Sequence, residues 1–290
     1  MQRITRDKTI PSSQRCSART PAAEVELGEE FLVETINFRT PIVRTEDDAN
    51  PEQYREREET GPIFVRGVAP GDTLRISIVD IRPEGHASGS KLTESGRNSF
   101  LRIEDGRVHF PGGLSAPVRM MIGEIYTVAP DWEASSRHGG NMDFNDVRAG
   151  HDLLLPVAFD GGLLVLGDLH AAQGDGELAG VGAECAGEVV LRVDKDERFK
   201  PTWPLLLKRD SFVSICSRKE YAEAAKLAIA EASEVLSRVA GVTTIEARLY
   251  VETVGSLRNG AAWGLVQPEP GWGKPMLTVG LEVPLPGSSG

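Results

Sequence analysis

"HGGNMDFNDVRAGHDLLLPVAFDGGLLVLGDLHAAQGDGE", His138 to Glu177, contains three of the five histidines of this 290-residue chain and seven acidic residues. Two apolar runs lie inside it, "HDLLLPVAF" and "GGLLVLGDLHA". Both are continuous rather than alternating, and each is short enough for a strand buried on both faces. Glycines stand at the ends of the runs, where turns belong. The stretch therefore predicts buried strands whose ends deliver carboxylates and imidazoles to one place.

Outward from that centre the pattern stays β. "EVELGEEFLVETINF" and "APGDTLRISIVDI" each open on a Gly-acid turn (Gly28-Glu29, Gly71-Asp72) and continue as β-branched runs. "GPIFVRGVAPGD", "VRMMIGEIYTVAP", "GEVVLRV" and "TWPLLLKRDSFVSICS" also have strand character. The charged "RTEDDANPEQYREREETGP", Arg44 to Pro62, reads as a surface loop near a mouth, and "RPEGHASGSKLTESGRNS", Arg82 to Ser99, as a polar loop. One long helix stands out, Ser217 to Gly241. Ser217 and Glu220 have capping-box spacing, Tyr221, Ala225, Ala228, Ala232, Val235 and Val239 form an apolar stripe, and Gly241 is a natural stop. "TIEARLYVETV" and "PMLTVGLEVP" read as two further strands. The expected organisation is an N-terminal tail or edge strand (1–23), a β domain carrying the site (24–210), and a smaller α+β portion with the long helix (211–290).

The composition is that of a soluble globular protein with a net charge of −11 and no basic stripe, which argues against a nucleic-acid partner. No apolar run reaches the ~20 residues of a membrane span. Three cysteines at Cys16, Cys185 and Cys216 form neither a disulfide framework nor a metal-type spacing, pointing to a reducing cytoplasm. Cys185 has no basic neighbour and reads as an inert buried thiol.

Three pieces of the opening stretch bear on chemistry. In "HGGNMD", Gly139 and Gly140 allow a tight loop on which His138, Asn141 and Asp143 can converge, although such clusters are also ordinary turns. Asp168 and His170 alternate at the end of an apolar strand, so both side chains face one way. Gln173, Asp175 and Glu177 continue the alternation between glycines, and Glu184 follows in the next apolar stretch. From Gly150 through Ala183 there is no lysine or arginine. Burying that many carboxylates without a cation is costly, and a divalent ion is the simplest missing charge. The acid spacing is not that of an EF-hand, and neither G-x-S-x-G nor H-E-x-x-H occurs.

"HGGNMD", Gly150, "LLLPV", "GDLHAAQGDGE" and Glu184 together resemble the central signature of the acetamidase/formamidase family. "VETINF", "TGPIFVRGVAPGDTL" and "MIGEIYTVAP" resemble its earlier strands, so that the likeness runs from about Glu24 to Val193. The resemblance implies a β-sandwich with a smaller α+β part, a homo-oligomer, bound zinc or calcium, and hydrolysis of small aliphatic amides to carboxylate and ammonia. On that reading Asp143, Asp168 and His170 are metal ligands with Glu184 a fourth. Glu177 is the acid and base with Asp175 as its competitor, and Asn141 and His138 either orient the substrate amide or support the metal ligands from behind. The glycines at 139, 140, 174 and 176 suggest a small dry pocket suited to amides of one to three carbons. The competing reading is a non-catalytic β-sandwich that holds a structural Ca²⁺ in the acidic cluster.

Overall fold

Leu164–His170 is a strand in which every residue is buried, as its unbroken apolar run requires. The computed structural model that places it describes residues 1–37, 58–91, 98–130, 135–267 and 276–287. The N-terminal strands are β1 (Gln2–Ile4), β2 (Thr9–Pro11), β3 (Ala23–Val25), β4 (Glu30–Thr35), β5 (Glu58–Val65) and β6 (Thr73–Lys91). Then come β7 (Asn98–Glu104), β8 (Arg107–His109), β9 (Ser115–Pro117), β10 (Met121–Thr127), β11 (Ser135–Ser136) and β12 (Gly139–Asn141). The centre is β13 (Asp152–Pro156), β14 (Leu164–His170), β15 (Glu184–Lys195), β16 (Leu205–Leu207) and β17 (Ser211–Arg218). Helices α1 (Tyr221–Ala240) and α2 (Thr244–Val254) precede β18 (Ser256–Asn259) and β19 (Leu277–Pro284). All of these strands join one hydrogen-bonded sheet that curls on itself, so the fold is mainly β with its helices near the C-terminus.

Strand β14 is held between β10 and β5 and reaches β15 at its far end, where His170 lies directly opposite Glu184. The largest core gathers around it, with Ile63, Leu74, Ile122, Leu166 and Val189 all fully buried. A second core lies between α1 and strands β17 and β19, where Ala228, Ala232 and Val235 pack with Phe212 and Val283. Their small side chains let the helix approach the sheet closely, which is the role expected of the stripe.

Several expectations change. Ser217 does not cap α1: it lies in β17, pairs with Thr278 and bonds Ser135 and Thr278 through its hydroxyl, and the N-cap is Glu220 with no side-chain cap. "TIEARLYVETV" is the helix α2 rather than a strand. Thr243 and Glu246 form the capping box there, each satisfying an amide of the other. Arg82–Lys91 extends β6 instead of looping, because Ser88, Ala87 and Arg82 find partners along β15. Most of the charged segment from Arg44 lies outside the described residues, but its end belongs to β5, where Glu59 and Thr60 are buried. The first residues are edge strands, β1 parallel to β4 and β2 antiparallel to β5. No disulfide joins the cysteines, and burial pushes the Cys185 thiol up to about 12, which makes it inert at neutral pH.

Candidate active site

Five of the side chains singled out from the sequence meet at the end of β14. Asp143, Asp168 and His170 form one group and His170, Glu177 and Glu184 another, with ligand atoms in each within 4.8 Å of one another. All five are buried. Strand pairing explains the convergence. In the register that sets Met121 opposite His170 and Ile122 opposite Leu169, Gly123 falls opposite Asp168. A Cβ on Gly123 would stand 2.7 Å from Asp143 Oδ1 and 3.2 Å from Asp168 Oδ2, so glycine opens the floor of the cluster. On another side Gly182 makes the same kind of room, since its Cβ would lie 2.5 Å from His170 Nδ1.

Three of the acids sit in the left-handed region, with φ of 45° at Asp143, 55° at Asp168 and 44° at Glu177. Residues other than glycine enter this region uncommonly, aspartate more readily than glutamate, and such outliers concentrate at functional sites. Here the strain turns three carboxylates off their local backbone course and toward one imidazole.

The imidazole is oriented by a residue that the sequence reading left without a role. Gln173 Nε2 donates to the Asp143 carbonyl at 2.7 Å, which leaves its Oε1 to accept from His170 Nδ1 at 2.5 Å. With Nδ1 as donor, the neutral ring carries its lone pair on Nε2. That nitrogen points at Glu184 Oε2 (3.1 Å), Asp168 Oδ1 (3.5 Å) and Asp143 Oδ1 (4.0 Å). A lone pair facing three carboxylates is repulsive unless a cation lies between them. The donor set of one imidazole nitrogen and carboxylate oxygens therefore fits a divalent metal. Without one, protons take its place. Burial would push His170 down, but Glu184 and Asp168 hold it well above its ordinary value, and burial together with Asp168 raises Glu184.

Around the cluster the other sequence-selected residues divide. Asn141 Nδ2 donates to Asp143 Oδ2 at 2.6 Å, so it orients a cluster acid. His138 is not brought in: its Nδ1 bonds the Pro156 carbonyl at 2.9 Å, and its ring lines a separate small cavity with Arg15 and Tyr126. Asp175 also turns away, because β14 and its alternation end at His170, and pairs with Arg258 at 2.9 Å. Glu177 is the cluster member that lines the open cleft above the site, a space of about 520 Å³. That volume is not the small pocket expected from the glycines. Gly139 packs on the β10 backbone instead of the cleft, and a Cβ on Gly174 would meet nothing within 4 Å.

The C-terminal strands hold the loops of the site in place. Ala261 donates to the Met142 carbonyl at 2.9 Å and Ala262 to that of Gly176 at 3.1 Å. Below them Arg258 binds Asp175, Asp146 and Glu282, while Lys208 bridges Asp146 (2.5 Å) and Glu282 (2.8 Å). Burial pushes Asp146 up, yet Lys208, Arg148 and Arg258 outweigh it and hold the carboxyl below its usual range. A depressed carboxyl contributes stability above its unfolded pKa of ~3.9 and loses it as pH falls through the folded value. Asp146→Asn should therefore melt below the wild type at pH 7, and the gap should begin to close only as pH falls below about 4, toward the lowered folded value. Melting curves across that range test it; a gap that persists in acid would sink the electrostatic explanation.

The site falls inside a recognisable family pattern. Residues 124–201 match the model of the "Acetamidase/Formamidase family", a span that includes all five cluster residues. An acetamidase of Mycolicibacterium smegmatis is 25% identical over 271 residues, covering 65% of this chain and 67% of that protein. A putative formamidase of Schizosaccharomyces pombe is 43% identical over 247 residues, covering 59% of this chain and 60% of that protein, so the chain spans less than two thirds of its length. Among solved structures, an acetamidase of Bacillus halodurans superposes with a TM-score of 0.85 at 29% identity, covering 98% of this chain and 97% of that one.

Proposed function

We propose that this chain, which belongs to the acetamidase/formamidase family, is an amidase that hydrolyses small primary amides to carboxylate and ammonia with the help of a divalent metal. The observation that carries the proposal is His170 Nε2, which faces the buried carboxylates of Glu184, Asp168 and Asp143 at 3.1, 3.5 and 4.0 Å, in groups whose ligand atoms lie within 4.8 Å of one another. Asp143, Asp168, His170 and Glu184 would hold the ion. Once bound, the ion supplies Lewis acidity, polarising an amide carbonyl and acidifying water.

The chain's own groups account for the remaining work. Gln173 and Asn141 keep His170 and Asp143 in place, so little reorganisation accompanies the reaction. Glu177 stands between the cluster and the cleft, where it accepts a proton from the attacking water. As the C–N bond breaks it passes that proton to the departing nitrogen, releasing ammonia and the carboxylic acid, whose remaining proton is taken up by ammonia to give carboxylate and ammonium. One carboxylate can do both because it returns to its ionised form at the end of each cycle.

The alternative of a structural Ca²⁺ site is disfavoured by an imidazole at the centre of the donor set, since Ca²⁺ takes oxygen ligands. The test is ammonia release from formamide, acetamide and propionamide before and after chelation, with zinc and calcium added back separately. Activity lost on chelation and restored by zinc is expected. Activity that survives complete metal removal overturns metal dependence, and no ammonia from any amide overturns the amidase reading.

A further inference from the structure

The cleft above Glu177 contains a charge that amide hydrolysis leaves without a role. Its walls are apolar, formed by Leu101, Phe110, Pro117, Leu178 and Val181, and its volume of about 520 Å³ lies within the range of pockets that hold whole metabolite-sized ligands. Formamide or acetamide would fill a small corner of it. Arg119 lines the same cleft. Its backbone is fixed by a hydrogen bond to the Ala171 carbonyl at 2.8 Å, while its guanidinium is exposed and has no ion-pair or hydrogen-bond partner among the described residues. The two acids that line the cleft do not compensate it: Asp175 is paired with Arg258, and Glu177 belongs to the buried cluster.

Building on the amidase reading, we propose that the cleft is a subsite for an acyl group ending in a carboxylate, with Arg119 as the specificity-determining residue that receives it. The substrate class is then the monoamide of a short linear dicarboxylic acid. Its amide end reaches Glu177 and the cluster, its methylenes lie against the apolar walls, and its carboxylate meets the guanidinium. Arginine suits that end because its planar fork binds a carboxylate through two parallel N–H···O bonds. On a chain with a net charge of −11, a local unpaired cation is also what allows an anion to approach the site.

Binding decides this independently of turnover. The purified full chain is titrated calorimetrically with the monoamides of succinic, glutaric and adipic acid, and with the uncharged linear amides of matching length. At least one monoamide acid should bind roughly tenfold or more tightly than its neutral counterpart, the scale of a charge-assisted hydrogen bond. Arg119→Gln should collapse that ratio toward one, Arg119→Lys should keep part of it, and added salt should narrow it. Equal affinity for charged and neutral partners in the wild type, or an unchanged ratio in Arg119→Gln, overturns the subsite. Failure to hydrolyse any amide overturns the amidase reading alone, because the binding ratio is read without turnover. Arg119 is exposed, so melting curves of both variants should match the wild type and separate lost binding from lost folding.

Discussion

Under the proposed function, Glu177→Gln lowers kcat on short amides by roughly 10²- to 10⁴-fold, the span of general acid–base catalysis, with metal content equal to that of the wild type. The substitution preserves size and hydrogen-bonding capacity but removes the ability to take a proton. Its position makes the expectation specific. Glu177 shares one ligand-spaced group with His170 and Glu184, and it also lines the open cleft above the site. A residue that only held the metal would lower metal content along with the rate, and one that only shaped the loop would leave kcat nearly intact. Metal analysis and steady-state kinetics on the same preparation separate these cases. Metal lost with the side chain would make Glu177 a ligand, and an unchanged kcat would remove it from the chemistry.

The core of this site was legible in the sequence because its signal is electrostatic. Acids accumulate from Asp143 to Glu184 while lysine and arginine vanish from Gly150 to Ala183, and an uncompensated buried charge is expensive wherever the fold places it. The limits of the reading are equally physical. Alternation carried past His170 put Asp175 beside Glu177, but the strand ends there and Asp175 turns to Arg258, which is 83 positions away. Gln173 could have been suspected from its place three residues after His170, but nothing local shows that the Asp143 carbonyl would orient it. Ser217–Glu220 and Thr243–Glu246 carry the same capping pattern. Only the pairing of Ser217 with Thr278 across β17 and β19 decides that the first is strand and the second a helix start. In α2 the β-branched residues suggested a strand, but the cap and the burial of Ala247 and Val251 on one side prevail over intrinsic preference.

Arg15→Met destabilises the fold by about 3–5 kcal/mol, the cost of stranding buried charge by removing its partner. Arg15 is 8% exposed and bonds Glu124, with Glu59 Oε1 3.6 Å from the same nitrogen, and both carboxylates are buried. Its guanidinium also lies 5.4 Å from the centroid of Tyr126. Burial, reinforced by Glu124 and Glu59, pushes the Tyr126 phenol up, so the ring stays neutral and adds no charge of its own. Strand alternation sends Glu124 to the face of β10 opposite the space that Gly123 leaves for the metal-type cluster, and Gly167 on β14 admits Glu59 on that same far side. The two strands that present the site are thus held from behind by a cation delivered from the N-terminal segment. Methionine can fill much of the volume but cannot offset either charge. Denaturant midpoints should fall accordingly, and Glu124→Gln added to Arg15→Met should recover more than 1 kcal/mol, since the second change removes one of the stranded charges. If the two substitutions simply add, Arg15 contributes packing rather than charge compensation. Against a typical total of about 5–15 kcal/mol, a loss of this size puts much of the folding free energy of the domain on one N-terminal arginine.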